Sequence, residues 1–311
     1  MNNSLAVFYA PRKIIAAAAV TLLYLLLSYL LIGFRTDQLF LAGTFNLLYF
    51  FSGNTRKLIL GFSIFIVYWI LFDYMKAFPN YLFREVHIRD LYNAEKLLFG
   101  WEEGGKIITP NEYWLINYST KLDILTGIFY LCWIPVPLAF AAYLFFRNRR
   151  DFLNFSLTFV LVNMLGFIIY YIYPAAPPWY FQLQGDIFIA GTPGNTAGLS
   201  RFDLYFTTGI FRNLYSKSSN VFAAMPSLHS AYPVIVLYYG IRRREHLIVN
   251  LIFTTVMFGI WFAAVYTSHH YVLDVLAGIL TACIGIILYK QLTRPLTVFN
   301  RLLHQYEKLI S

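Results

Sequence analysis

Six histidines occur in the chain, and three of them stand where they could do chemistry. His270 precedes Asp274 by four residues in Ser268-His269-His270-Tyr271-Val272-Leu273-Asp274. On a helix that spacing stacks the two side chains on one face. A carboxylate so placed can fix one imidazole nitrogen and leave the other basic, which is what a nucleophile or general base needs. His229 follows Ser227 in Met225-Pro226-Ser227-Leu228-His229-Ser230, where Pro226 and Ser227 mark a helix start. Free amides at such a start suit an anionic oxygen, which makes Ser227 a candidate substrate contact. His87, His246 and His304 sit among charged residues or beside a basic cluster and read as ordinary surface histidines.

The elements that must carry these residues follow from composition. The chain has 311 residues, of which 59% are hydrophobic, 20% aromatic and only 13% charged. A soluble domain carries about 25% charged residues. This chain could not cover a water-facing surface, and disorder, a coiled coil and a disulfide scaffold are excluded on the same grounds. The class left is a polytopic membrane protein, an all-α bundle of about eight transmembrane helices. Cys132 and Cys283 both fall in apolar runs and are expected to form no bridge.

A helix needs about 20 apolar residues to cross the hydrocarbon layer. Four uncharged runs reach that length: Ile14–Phe34, Ile124–Phe146, Phe152–Tyr173 and Leu247–Ser268. Leu39–Phe51 and Leu58–Phe72 need flanking residues to span, and Ser227–Ile241 and His270–Tyr289 begin with ionisable residues. The first run lacks a small-residue cleavage site, so it is expected to remain as a span. Residues 73–123 and 174–226 form the long connections. Phe83–Phe99 alternates charged and apolar residues at helical spacing and is expected to lie along the interface as a helix. The second connection, rich in Pro, Gly and small polar residues, is expected to be mostly loop.

A net charge of +9 raises the question of nucleic acid, but its distribution points to a membrane. The basic clusters Arg12-Lys13, Arg56-Lys57, Arg147 to Arg150, Arg242 to Arg244 and the tail residues Lys290, Arg294, Arg301 and Lys308 fall on one side if eight spans alternate. The positive-inside rule makes that side cytoplasmic, with both termini on it. His229 and His270 then share the opposite, periplasmic or luminal face. Alone, His270 and Asp274 could be a polar pair that merely satisfies itself. A second histidine motif at the same face tips the reading toward function.

Pro226-Ser227-Leu228-His229 and His270-Tyr271-Val272-Leu273-Asp274 resemble the second and third signatures of the type 2 phosphatidic acid phosphatase superfamily. The resemblance implies a six-helix catalytic core over residues 58–289 with external loops 73–123 and 174–226, preceded by two transmembrane helices in 1–57 and followed by a cytoplasmic tail, 290–311. It implies His270 as nucleophile through a phosphohistidine, Asp274 as its orienting partner, and His229 as general acid and then base, with no cofactor and no metal. Adjacent His269 and His270 on a helix would point about 100° apart, which also speaks against a metal site.

The departures are specific. Where the phosphatase pattern has Ser-Arg, seven and six residues before the nucleophile, this chain has Ala263 and Ala264. Leu228 replaces the usual glycine, and the Lys and Arg-Pro signature is absent. Tyr173-Pro174-Ala175-Ala176-Pro177-Pro178-Trp179-Tyr180 and the His269-His270-Tyr271 doublet resemble the inositol phosphorylceramide synthase branch. That branch moves a phosphoinositol head group from a phospholipid donor to a lipid alcohol acceptor such as ceramide. Without the signature arginines, Arg201, Arg212 and Lys217 are candidates to meet the phosphoryl oxygens, with Trp179 and His269 as further substrate contacts. The rival expectations are a lipid phosphatase acting on phosphatidate or a polyprenyl diphosphate, and a transporter using the histidines for proton coupling.

Overall fold

The computed structural model describes residues 11–217, 220–294 and 298–311. The first ten residues of the 1–57 segment, two residues of the 174–226 connection and three of the 290–311 tail lie outside it. The fold is an all-α membrane bundle with one small hairpin. Helices α1 (Pro11–Ile32), α2 (Thr36–Phe51) and α3 (Gly53–Tyr74) run in succession. The first connection then folds as α4 (Arg89–Phe99), a hairpin of β1 (Trp101–Glu103) with β2 (Lys106–Ile108), and α5 (Pro110–Ile116). Helices α6 (Thr120–Leu131), α7 (Pro135–Arg147) and α8 (Arg149–Ile172) follow. The second connection holds α9 (Pro178–Gln184), α10 (Ser200–Tyr205) and α11 (Ile210–Tyr215). The chain closes with α12 (Leu228–Arg242), α13 (Leu247–Tyr266), α14 (Val272–Leu292) and α15 (Val298–Ile310).

Among the described residues, six helical segments are long and apolar enough to cross a membrane: Pro11–Ile32, Gly53–Ala77, Thr120–Arg147, Arg149–Ile172, Leu247–Tyr266 and Val272–Leu292. Helices α2 and α12, of 16 and 15 residues, are shorter. Helix α8 is the centre of the bundle, packed by α3, α7, α12, α14 and α15. Its aromatic side chains Phe152, Phe155 and Phe159 interlock with Phe62, Phe65, Phe140 and Tyr232. Polar side chains at the bundle centre pair with one another, as a low-dielectric interior favours: the Tyr232 hydroxyl donates to Asn163 Oδ1 at 2.7 Å and lies 3.0 Å from the Tyr68 hydroxyl.

Two local expectations change. Helix α4 begins only at Arg89, because the preceding strand-like residues pair with the second connection: the His87 amide donates to the Pro174 carbonyl at 2.8 Å, and the Ala176 amide donates to the His87 carbonyl at 2.9 Å. The run Ile124–Phe146 is two helices meeting at a turn over residues 132–134. Pro135 and Pro137 carry no amide hydrogen and start the second helix there. The 174–226 connection is mostly irregular, as its composition suggests, with three short helices set into it. The tail carries α15, an amphipathic helix that packs on α3 and α8 and buries Leu303 and Ile310.

Two of the basic clusters, Arg147 to Arg150 and Arg242 to Arg244, meet at one end of the bundle, where the tail helix packs. Arg149 Nε donates to the Ile310 carbonyl at 3.0 Å, Arg150 pairs with Glu307 at 3.6 Å, and Arg243 pairs with Asp151. Helix α12 runs from Leu228 to Arg242, so His229 lies at the opposite end.

Candidate active site

The two histidine motifs meet because two helix starts are fastened to each other. Ser227 caps α12, its Oγ accepting from the Ser230 amide at 3.3 Å and from the Ser230 hydroxyl at 3.0 Å. The Ser227 amide donates to the Asp274 carbonyl on α14 at 2.9 Å. Gly278, one turn further along α14, permits this approach: a Cβ there would lie 2.1 Å from the Ser227 carbonyl oxygen. A second glycine contact seats the helix sideways, since Gly166 of α8 packs against the Leu228 side chain.

His269 and His270 stand in the turn between α13 and α14. Both of their amides donate to the Ala264 carbonyl, at 3.1 and 3.0 Å. The turn is gripped from outside by the second connection, through Trp179 N to Ser268 O and Gly198 N to Thr267 O, each 3.0 Å. As a result His229 Nδ1 lies 3.2 Å from His270 Nε2, with one nitrogen donating and the other accepting. Both rings line a cavity of about 300 Å³. Its walls are Phe65, Tyr68 and Phe72 of α3, Tyr130 and Trp133 at the α6–α7 turn, and Trp179 of α9. Trp133 presents an edge contact to the His229 ring at 4.4 Å between centroids.

Asp274 is completely buried and lies 3.6 Å from His270 Nδ1, an ion-pair distance longer than a hydrogen bond. The expected orienting hydrogen bond is therefore not formed in this state. Asp274 Oδ2 instead accepts from the Tyr271 amide at 2.8 Å, because a carboxylate in the first turn of a helix reaches back to the free amide before it. Burial pushes the His270 imidazole down to about 4, so the ring is neutral at ordinary pH, the form a nucleophile requires.

Of the sequence-predicted contacts, His269 and Trp179 line the cavity with His229 and His270. Ser227, Arg201, Arg212 and Lys217 do not. Ser227 is fully buried and its oxygen is occupied in capping. The Arg201 guanidinium is taken by Asp123 at 2.6 Å and stacks against Tyr118 and Tyr266. Arg212 and Lys217 are exposed on and after α11. No cluster of three or more His, Cys, Asp or Glu residues suited to a metal occurs among the described residues.

Two positioning residues have no counterpart in the sequence expectations. Glu95 of α4 is fully buried, and its two oxygens accept from the Val272 and Leu273 amides at 2.9 and 3.1 Å, capping the helix that begins beside His270. Burial pushes its carboxyl up to about 7 despite those bonds. Asn111 of α5, also fully buried, donates from Nδ2 to the Val265 carbonyl at 2.8 Å and the His270 carbonyl at 3.0 Å. The capping box Thr109-Pro110-Asn111-Glu112 was a readable signal for the helix that presents Asn111. Nothing in the sequence says that Glu95 turns inward among so many interfacial charges.

The chain is similar to known membrane enzymes. The family model for the PAP2 superfamily matches residues 96–288. The phosphoinositol dihydroceramide synthase of Bacteroides thetaiotaomicron is 40% identical over 303 residues, covering 97% of this chain and 99% of that protein. The catalytic subunit of inositol phosphorylceramide synthase from Schizosaccharomyces pombe is 27% identical, over 82% of this chain and 60% of that protein. The Candida albicans inositol phosphorylceramide synthase is 32% identical, over 52% of this chain and 36% of that protein. No solved structure matches. With the paired histidine motifs, the family match and the near full-length relative taken together, the chain belongs to the PAP2 superfamily, in its inositol phosphorylceramide synthase branch.

Proposed function

We propose that this protein transfers a phosphoinositol head group from a glycerophospholipid to a lipid alcohol of the ceramide or dihydroceramide type. His270 Nε2 attacks the phosphodiester phosphorus, a P–N bond forms, and the P–O bond to diacylglycerol breaks. His229 gives its proton to the departing oxygen. The acceptor hydroxyl then attacks the phosphohistidine, returns a proton to His229, and the P–N bond breaks. Asp274 stabilises the charge that develops on the His270 ring, and His269 and Trp179 contact the substrate from the cavity wall.

One observation carries this reading: His229 and His270 face each other at 3.2 Å on the wall of a largely aromatic cavity. The pair must open when substrate enters, since an attacking nitrogen and its phosphorus stand about 3–3.5 Å apart in a near-attack geometry. An apolar wall also favours a lipid alcohol over water as the acceptor. The catalytic core corresponds to residues 58–289, and the site faces the periplasm or lumen, with the basic ends of α7, α8 and α12 in the cytoplasm.

The test is lipid product analysis. Purified protein given phosphatidylinositol and ceramide should yield ceramide-bound phosphoinositol, and an acid-labile phosphoenzyme should accumulate when ceramide is withheld. Free inositol phosphate or inorganic phosphate as the only product would replace transfer by hydrolysis.

A further inference from the structure

The cavity that holds the histidine pair has no lysine or arginine in its described lining. Arg201 lies outside it with its charge neutralised by Asp123 at 2.6 Å. The two positions that precede the nucleophile where phosphatase relatives have Ser-Arg are Ala263 and Ala264, both fully buried. A phosphate group entering here meets no lysine or arginine, and beyond the imidazoles themselves it has to be met by uncharged donors.

Two such donors line the cavity. Tyr130 is completely buried, and its ring centroid stands 5.2 Å from that of His229 and 5.4 Å from that of His269. Its oxygen accepts from the Tyr215 hydroxyl at 3.1 Å, which leaves its own proton to be donated elsewhere. Asn220 is held by the Phe222 amide, which donates to Asn220 Oδ1 at 3.0 Å. That bond fixes the amide's orientation, and the opposite end, Nδ2, is buried with no hydrogen-bond partner. A buried donor without a partner on a cavity wall calls for an acceptor from the ligand.

We propose that Tyr130 and Asn220 are the phosphoryl-oxygen donors of this site, and that a cradle of uncharged groups selects a singly charged phosphodiester over a doubly charged phosphomonoester. The physical reason is desolvation. The cost of moving an ion out of water grows with the square of its charge, so a dianion costs roughly four times a monoanion. Neutral hydrogen bonds offset the smaller cost, and the larger one requires a cation. This inference rests on the reading that phosphorus is attacked at His270, and it names the charge class of lipid that reaches it.

The experiment measures binding of two lipids to the detergent-solubilised full chain, read by intrinsic tryptophan fluorescence, since Trp69, Trp133 and Trp179 line the cavity. Phosphatidylmethanol is a monoanion throughout. Phosphatidate is close to a dianion at pH 8 and a monoanion at pH 5, since the second ionisation of a phosphomonoester lies near pH ~6. At pH 8 phosphatidate should bind about tenfold or more weakly than phosphatidylmethanol, and the gap should close at pH 5; phosphatidylmethanol controls for titration of the protein itself. Tyr130→Phe keeps the ring and should weaken phosphatidylmethanol about tenfold, the scale of a hydrogen bond to a charged group. Asn220→Lys supplies the missing cation and should reverse the order at pH 8; it serves equally if Tyr130→Phe fails to fold. Equal or tighter phosphatidate binding at pH 8 in the parent protein, or an unchanged order in Asn220→Lys, would overturn the proposal. Failure of the transfer reading shows separately, as absence of a ceramide product from a protein that still discriminates the two lipids.

Discussion

The Ser227 amide donates to the Asp274 carbonyl oxygen at 2.9 Å, and this bond docks the start of one histidine-bearing helix onto the start of the other. Everything in the candidate site depends on that docking, because the His229 and His270 rings approach through it. The backbone, rather than either imidazole, sets their separation. Four consequences can be measured.

Gly278→Ala should damage activity out of proportion to its size. Its Cβ would stand 2.1 Å from the Ser227 carbonyl, and a backbone atom cannot swing aside as a side chain can. Overpacking of this kind costs about 1–3 kcal/mol, so the variant should fold less stably. Its residual folded fraction should show a lower kcat because the rings are displaced. Thermal unfolding and transfer assays on the same preparation would check both, and an unchanged kcat would mean that the docking does not set the histidine geometry.

His270→Ala should abolish transfer and phosphoenzyme formation together, with expression maintained. His229→Ala should leave a slower reaction, reduced by about 10²–10⁴, the usual scale for a lost general acid. Trapping with labelled phosphatidylinositol would measure both. Phosphoenzyme formed by His270→Ala would remove it from the nucleophile's role, and a proton-coupled transport function is disfavoured if turnover is lost at normal expression.

The acid limb of the reaction should lie well below that of an ordinary histidine. In the proposed mechanism the reactive form of His270 is neutral, and burial lowers its value from 6.5 to about 4. Between those values the unfolded chain binds a proton that the folded chain excludes, so stability should fall as pH drops from 6.5 toward 4. A pH–rate profile and the thermal midpoint of His270→Gln across this window would check it; the variant should lose that part of the slope.

Glu95 contributes the opposite slope. Its carboxyl is raised from 4.5 to about 7, so the folded chain keeps a proton that the unfolded chain releases, and stability should fall as pH rises through that window. Glu95→Gln should flatten this dependence. The same variant turns a donor toward the Val272 or Leu273 amide, and should lower kcat while changing KM little, since it shifts the start of α14 without touching the cavity. A fall in KM-limited rate alone would assign Glu95 to lipid binding instead.

Much of this was legible in the residues. Low charge and long apolar runs specify a membrane bundle, because no other solvent tolerates such a surface. The basic clusters show which helix ends lie together, and the structure brings Arg149, Arg150 and Arg243 to one end of the bundle. His229, His270 and Asp274 stand out by residue type and spacing, although His270 proves to belong to the turn before α14 and only Asp274 lies on the helix itself. The turn that breaks Thr120–Arg147 was present in Pro135 and Pro137, but a run of apolar residues hides it.

Tertiary structure decided the rest, for one physical reason: burial and partner choice are long-range properties. Sequence proximity suggested Arg201 as a phosphate ligand, and the fold gave its charge to Asp123, 78 residues away along the chain. Ser227 was spent on capping, Asp274 turned from the ring to a backbone amide, and Glu95 and Asn111 reached in from a connection that reads as surface. The sequence alone determined that two imidazoles and a carboxylate belong to one face of a membrane protein. Only the folded chain decided which uncharged groups surround them, because a cavity's electrostatics depend on which side chains are turned away from it as much as on those turned toward it.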